Sequence, residues 1–262
     1  MKLTILGSGT GLPHRSRNAP GYFLEGAGGG RLLVDAGSGT LGQMARAGKD
    51  WAALDGVCIT HTHPDHISDL VALLHAFRLP GLVRDQPLVL LGPPGFEVFC
   101  DRYVIPVSGL PGRFPVTVTR AAECQELAGL TIRTAPTRHS ERLASLAYRF
   151  EEQGRSLLVS GDCDDSAPLR ELARGVDLAV LEASTLAAGK VPGHLSAEDC
   201  GRIAHGAGVG RLVLSHFYPI AGPDLWRLAE CGLHYSGDAR LAEDFMELDL
   251  EQGRGRGDPE GE

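Results

Sequence analysis

Three histidines and one aspartate lie within the six-residue segment HTHPDH at positions 61–66. The segment follows a short apolar run at 57–60 that predicts a strand, and it precedes apolar positions with helical spacing at 67–78. Because side chains alternate along an extended chain, His61 and His63 point to the same side, while the aspartate and the third histidine open the helix. Imidazole nitrogens and carboxylate oxygens are ligands that zinc favours. The segment therefore predicts a metal site at a strand-to-helix junction.

The length and composition predict one soluble domain. The chain has 262 residues, of which 43% are apolar and 22% are charged, which is ordinary for a globular protein with a large core. We expect a single domain over residues 1–250. The tail at 251–262 has no apolar residue and is predicted to be disordered.

The net charge of −8 gives the chain no overall attraction to nucleic acid, although a local basic groove is compatible with it. No apolar run approaches the roughly 18 residues that a membrane span needs. The apolar stretch at the N-terminus is too short for a secretory signal. We therefore expect a cytoplasmic protein without a membrane partner.

Strand-like and helix-like patterns are mixed along the whole chain. Strands are predicted at 3–6, 21–25, 31–34, 57–60, 87–91, 114–120, 130–135, 143–150, 156–160, 177–182 and 211–215. Helices are predicted at 40–48, 67–78, 96–103, 167–174, 196–206 and 223–230. Residues 30–37 (GRLLVDAG) weakly resemble residues 154–162 (GRSLLVSGD). This internal similarity is informative only if the fold has two similar halves.

The pattern HxHxDH at 61–66 resembles the signature of the metallo-β-lactamase superfamily, and the other motifs of that superfamily follow in order. Asp35 resembles its early aspartate, His139 its third-motif histidine, Asp162 its bridging aspartate and His216 its last histidine. The resemblance covers residues 1–216. It implies an α/β fold, a four-layer αββα sandwich of two similar halves.

The same resemblance implies two divalent metal ions, expected to be zinc, while histidine and aspartate ligands also suit manganese and iron. The implied ligands are His61, His63 and His139 for one ion, Asp65, His66 and His216 for the other, and Asp162 as a bridge between them. Asp35 ends an apolar strand, where a lone carboxylate is costly without a partner. We expect it to hydrogen-bond the metal-site loop; the alternative is an aspartate that only forms a turn.

Within the superfamily the chain is similar to the ribonuclease Z branch, in LGSGTGLP at 6–13, EAST at 182–185 and GHLSA at 193–197. By this resemblance His194 is the general acid, and Glu182 hydrogen-bonds its other ring nitrogen. The alternative is that His194 caps the helix that follows Ser196. One departure is Leu181, where that branch often has a histidine.

A second departure is the short connection between His139 and Asp162. Bacterial ribonuclease Z enzymes insert a protruding arm there to grip tRNA, but residues 140–161 are all used by the predicted strands at 143–150 and 156–160. We therefore expect no arm. Since lysine and arginine supply most nonspecific affinity for nucleic acid, folded tRNA is a disfavoured partner for this acidic chain.

These observations predict a dinuclear metal-dependent hydrolase, a phosphodiesterase acting on small, nucleotide-like or otherwise short phosphodiesters. The nucleophile is expected to be a metal-bridging hydroxide oriented by Asp65, with His194 protonating the leaving oxygen. Three alternatives stay open: a ribonuclease Z-type tRNA 3′-processing endonuclease, a lactone or ester hydrolase, and a non-catalytic carrier or cofactor-assembly protein. A homodimer is compatible with the resemblance, since relatives commonly dimerise.

Overall fold

The computed structural model describes residues 1–219 and 221–251, and except for Glu251 the predicted disordered tail lies outside them. These residues form two seven-stranded sheets. In spatial order, sheet 1 contains β14 (Glu247–Asp249), β1 (Lys2–Gly7), β2 (Gly21–Glu25), β3 (Arg31–Val34), β4 (Gly56–Cys58), β5 (Leu88–Gly92) and β6 (Val116–Arg120). Sheet 2 contains β13 (Asp238–Leu241), β12 (Arg211–Ser215), β11 (Leu178–Glu182), β10 (Arg155–Val159), β9 (Leu146–Glu152), β8 (Leu130–Pro136) and β7 (Cys124–Leu127).

In the part of the chain that the structure describes, seven α-helical segments cover the outer faces of the sheets. They are α1 (Thr40–Arg46), α2 (Pro64–Ala76), α3 (Phe96–Phe99), α4 (Ile105–Ser108), α5 (Ala167–Leu172), α6 (Ala197–Ala207) and α7 (Asp224–Cys231). A π-helical turn, Cys100–Val104, joins α3 to α4, and Trp51–Ala53 and Ala187–Gly189 are 3-10 helices. Within residues 1–219 and 221–251, none of the helices combines the length and the hydropathy that crossing a membrane requires.

Buried side chains form three clusters that separate the four layers. In β3, Leu32 and Val34 belong to the cluster between the two sheets, whereas Leu33 belongs to the cluster under α1 and α2. The third cluster packs sheet 2 against α5 and α6. Because both faces of each sheet are buried, the inner strands have continuous apolar sequences and not alternating ones. The predicted αββα sandwich is confirmed.

The predicted functional residues follow the carboxyl ends of strands. Strands β3 to β6 are mutually parallel, as are β10 to β13, and β8 runs in the same direction as β10 because each is antiparallel to β9. Backbone hydrogen bonds from Leu146 N to Thr60 O and from Phe217 N to Ser8 O join the two sheets at this edge. Motifs far apart in sequence therefore meet there.

The connection between His139 and Asp162 holds the expected hairpin and no arm. Strands β9 and β10 pair around Gln153 and Gly154, and both of these residues have positive φ, as a type I′ turn requires. However, β9 begins at Leu146 and not at the predicted residue 143. The preceding residues form a loop, in which Thr137 N donates to Ser145 O.

Three strands were not predicted from the sequence: β7, β13 and β14. Along β7 and β13, exposed residues alternate with half-buried ones, so neither shows the apolar run that marks the inner strands. The helix predicted at 96–103 also continues further, through the π-helical turn to Ser108. In each case tertiary packing stabilises an element that local propensity indicates weakly.

Candidate metal centre

Seven side chains expected to bind metal converge at the carboxyl edge of the sandwich, in two groups. In the first group, His63 Nδ1 lies 2.9 Å from both His61 Nε2 and His139 Nε2. In the second group, Asp65 Oδ2 lies 3.6 Å from His216 Nε2 and 3.7 Å from His66 Nε2. The donor atoms of each group are close enough to one another to hold a metal ion.

Asp162 lies between the two groups and faces both. Its Oδ2 is 3.9 Å from both His61 Nε2 and His139 Nε2. Its Oδ1 is 3.3 Å from His66 Nε2 and 3.2 Å from His216 Nε2. One carboxylate thus presents one oxygen to each group, which is the arrangement of a bridging ligand.

On the sheet 1 side, Asp35 and Thr60 orient two imidazoles. The fully buried Asp35 accepts hydrogen bonds from Thr60 N, Thr60 Oγ1 and His66 Nδ1 at 2.8, 2.9 and 2.8 Å. Because the Thr60 hydroxyl proton is directed to Asp35, His61 Nδ1 must donate to Thr60 Oγ1, 3.1 Å away. Both rings therefore use Nδ1 in these hydrogen bonds and present Nε2 to the centre. The contact expected of Asp35 is present.

On the sheet 2 side, Glu182 and Ser184 have a matching arrangement. The Ser184 hydroxyl donates to Glu182 Oε2, so His216 Nδ1 donates to Ser184 Oγ at 3.1 Å. The Gly193 carbonyl accepts from His139 Nδ1 at 2.9 Å. These hydrogen bonds leave Nε2 of both rings facing the centre.

Buried polar atoms without hydrogen-bond partners show that the donor set fits a cation. His66 Nε2, His216 Nε2 and Asp162 Oδ1 are buried and make no hydrogen bond to the described residues, although Asp162 Oδ1 lies 3.3 Å from His66 Nε2 and 3.2 Å from His216 Nε2. Leaving such groups unpaired is costly. A divalent cation between them would satisfy all three, and their nitrogen and oxygen donors suit zinc, manganese or iron.

The local charges keep the carboxylates ionised. Burial alone would raise the pKa of Asp162, but the charges of His216 and His66 hold it well below its usual range. Burial would raise the pKa of Asp65 as well, but the nearby imidazoles of His216 and His66 hold it below its usual range. Burial lowers the pKa of His61 well below its usual range. Anionic oxygens and a neutral imidazole are the protonation states that metal binding requires.

His194 lies beside the centre and pairs with Glu182. Its Nδ1 is 3.0 Å from Glu182 Oε1 and 4.0 Å from Asp162 Oδ2. Burial would lower the pKa of His194, but the hydrogen bond and charge of Glu182 outweigh it and raise the pKa to about 9. Nε2 makes no hydrogen bond to the described residues and is not among the buried unpartnered atoms, so it remains open to a substrate.

The alternative role for His194, as a helix cap, is wrong. Ser196 caps α6, in a reciprocal hydrogen-bond pair with Asp199. Sequence reasoning missed the roles of Thr60 and Ser184, the hydroxyls that fix His61 and His216. A usable signal existed in each case, because a hydroxyl residue directly precedes His61 and another lies two residues after Glu182.

The Asp35 contacts lead to a testable prediction. Asparagine at this position keeps the shape of the side chain but replaces one carboxylate oxygen with an NH₂ group. That N–H donor would face one of the three groups that now donate a hydrogen bond to Asp35. We expect Asp35→Asn to weaken metal binding by about 10- to 100-fold, measured by competition with a chromogenic chelator. Asp69→Asn is the matched control, since among residues 1–219 and 221–251 the Asp69 carboxylate accepts hydrogen bonds only from Gly39 N and Leu41 N. Unchanged affinity in Asp35→Asn would show that Asp35 does not support the ligands.

Comparison with known families agrees with this geometry. A sequence model described as the beta-lactamase superfamily domain matches residues 30–217, a range that includes all seven converging side chains. The chain belongs to the metallo-β-lactamase superfamily. Over 95% of its length, this superfamily member is 28% identical to ribonuclease Z of Mycobacterium bovis (strain BCG / Pasteur 1173P2), and the alignment covers 98% of that protein.

Solved structures of the superfamily share the fold. The metallo-beta-lactamase fold protein YhfI from Bacillus subtilis superposes with a TM-score of 0.82 at 22% identity, over 94% of this chain and 98% of that one. The short form of human tRNase Z superposes with a TM-score of 0.78 at 25% identity, over 95% of this chain and 99% of that one. This chain is a ribonuclease Z-like, metal-dependent hydrolase whose histidine and aspartate cluster can bind divalent metal ions.

Proposed function

We propose that the protein is a dinuclear phosphodiesterase that hydrolyses small or short, nucleotide-like phosphodiesters. The observation that carries the proposal is the His194–Glu182 pair beside a carboxylate that faces two groups of metal-binding side chains. A carrier or cofactor-assembly protein has no need of an oriented imidazole with an open nitrogen next to its metal ligands. An enzyme that must protonate a leaving oxygen does.

The proposed ligands follow the two groups. His61, His63 and His139 would hold one ion, Asp65, His66 and His216 the other, and Asp162 both. When bound, two divalent cations, with zinc the expected metal, would polarise the phosphoryl group and make a water molecule nucleophilic at neutral pH.

The remaining chemistry belongs to side chains of this chain. The side chain of Asp65 keeps 19% of its surface exposed, so an attacking water can reach this carboxylate and be oriented by it. His194 Nε2 would donate its proton to the departing oxygen, while Glu182 stabilises the charged imidazole.

Two features support a small substrate. Residues 140–161 contain only the β9–β10 hairpin and its flanking loops, so the connection offers no arm for folded tRNA. The net charge of −8 also opposes binding of a long polyanion, since phosphate contacts by lysine and arginine supply most of that affinity.

Hydrolysis of bis-p-nitrophenyl phosphate tests the proposal. We expect steady release of p-nitrophenolate by protein loaded with zinc or manganese, loss of that activity after chelator treatment and dialysis, and its recovery when metal is restored. A fluorogenic lactone, assayed in parallel, should react at a small fraction of the phosphodiester rate. The reverse preference would make the protein a lactone or ester hydrolase, and metal binding without turnover of either would make it a carrier.

Processing of tRNA 3′ ends is the second candidate function, because ribonuclease Z of M. bovis aligns with nearly the whole chain. Cleavage of a precursor tRNA after its discriminator base, at a kcat/KM far above that for a dinucleotide, would favour this candidate. In a homodimer, the second protomer would supply RNA contacts that one protomer lacks. Sedimentation velocity measures whether the protein is a dimer in solution.

A further inference from the structure

A groove of about 480 Å³ opens at the carboxyl edge of the sandwich, beside the metal centre. Its walls are mostly small or apolar side chains: Pro94, Ala121, Ala122, Pro136, Ala144 and Leu146. The volume lies within the roughly 300–1,000 Å³ typical of sites for small ligands. None of these residues is a candidate metal ligand or belongs to the His194–Glu182 pair.

The topology places the groove on the same edge as the metal centre. Its sheet 1 wall consists of residues at and after the ends of β5 and β6. Strand β5 pairs with β4 and β6 pairs with β5, and His61 follows β4 in the chain. Its sheet 2 wall consists of the end of β8 and the start of β9. Since β4, β5 and β6 are parallel, their carboxyl ends share one edge, and the groove continues sideways from the metal-binding loops.

The distance from the groove to the metal centre is short. Thr137, which lines the groove, precedes His139 by two residues, a reach of at most about 7 Å. Leu146 N donates to the carbonyl of Thr60, the residue directly before His61, at 2.9 Å. A group attached to a phosphate at the metal centre can therefore enter the groove through one sugar-sized spacer.

The polar groups of the groove are few and specific. On its floor, Thr137 Oγ1 donates to Ser145 Oγ at 2.8 Å, which leaves hydroxyl lone pairs for a ligand donor. At the rim, the exposed guanidinium of Arg120 makes no hydrogen bond or ion pair to residues 1–219 and 221–251. The exposed Glu123 also lines the groove, and its carboxylate can accept hydrogen bonds from ring N–H or amino groups. Apolar walls with a small number of polar groups are suited to a heteroaromatic ring.

We infer that this groove binds the nucleobase of a nucleotidyl substrate whose phosphate lies at the metal centre. The inference rests on the proposed phosphodiesterase function and adds a substrate class to it. Burial of the base against the apolar walls should make a nucleoside monophosphate bind more tightly than the same sugar phosphate without a base.

Calorimetric titration of the metal-loaded protein with AMP and with ribose 5-phosphate tests the inference. We expect AMP to bind at least about tenfold more tightly. Ala122→Trp should remove this preference by filling the groove, while ribose 5-phosphate binds as before. The Ala122 side chain is exposed, and its hydrogen bonds with Gln125 and Thr134 use its backbone N–H and carbonyl, which tryptophan retains, so the variant should fold.

Two further variants complete the test. Ala144→Trp, on the opposite wall, should remove the preference as well, and Ala45→Trp, on the exposed face of α1, should keep it. Equal affinities of the wild type for AMP and ribose 5-phosphate, or a preference that survives both groove variants, would overturn the inference. The proposed function is tested separately by turnover of bis-p-nitrophenyl phosphate. Turnover without a preference for AMP would refute only the role of the groove. A preference for AMP without turnover would refute only the hydrolase activity.

Discussion

Asp162→Asn is expected to lower phosphodiesterase activity by roughly 10³-fold, because two groups of ligands depend on its two oxygens. Asparagine keeps one oxygen but places an N–H donor against ring nitrogens that must stay free for metal. Metal-ion catalysis supplies several kcal/mol, and each 1.36 kcal/mol is tenfold in rate. Metal content, measured by elemental analysis of protein purified without chelator, should fall together with the rate.

Asp164→Asn provides the control for this prediction. Asp164 lies two residues away and pairs with Lys190 at 2.7 Å, outside both ligand groups. That variant should retain its metal. The companion variants His61→Ala and His216→Ala each remove a ligand from one group, so each should lose metal. Full metal content in Asp162→Asn, His61→Ala and His216→Ala would refute the proposed ligand set.

His194→Ala is expected to slow hydrolysis in a manner that depends on the leaving group. General acid assistance is worth about 10²–10⁴ in rate when the leaving oxygen is a poor leaving group. Thymidylyl-thymidine releases an alkoxide, whereas thymidine 5′-p-nitrophenyl phosphate releases p-nitrophenolate, which needs little protonation. The variant should therefore lose at least about tenfold more activity on the first substrate than on the second.

Metal analysis separates the possible roles of His194. His205→Ala, an exposed histidine on α6, should leave both rates unchanged. Equal losses on the two substrates in His194→Ala would assign the side chain to binding or positioning. Loss of metal from His194→Ala would instead assign His194 as a metal ligand. The structure is compatible with that role, because donor atoms of Asp162, His194 and His216 also lie within 4.8 Å of one another.

The features of the site that could be predicted from the sequence are those determined by residues close together in the chain. His61 and His63 are two residues apart in an extended segment, so their common direction follows from backbone geometry alone. Burial of Asp35 could be inferred from the apolar strand before it, and a buried carboxylate needs a partner. Its partners could not be named, because the contact with Thr60 spans 25 positions and depends on how β3 pairs with β4.

The same limit applies to Ser184 and to the groove. Ser184 reaches His216 across 32 positions, and only the pairing of β11 with β12 brings them together. The groove combines loops after β5, β6 and β8, whose prolines and alanines carry no pattern of their own. Edge strands such as β7 were missed for a related reason, since half-exposed residues give no apolar period.

The division of the ligands between the two sheets has a consequence for folding. His61, His63, Asp65 and His66 follow a strand of sheet 1, whereas His139, Asp162 and His216 follow strands of sheet 2. Neither half of the chain can assemble either group unaided, so an ion bound at this centre cross-links the sandwich at its open edge. Because such an ion binds the docked sheets and not the separated ones, metal supply and native-state population are thermodynamically linked. The centre that would perform the chemistry would therefore also stabilise the contact between the two halves of the fold.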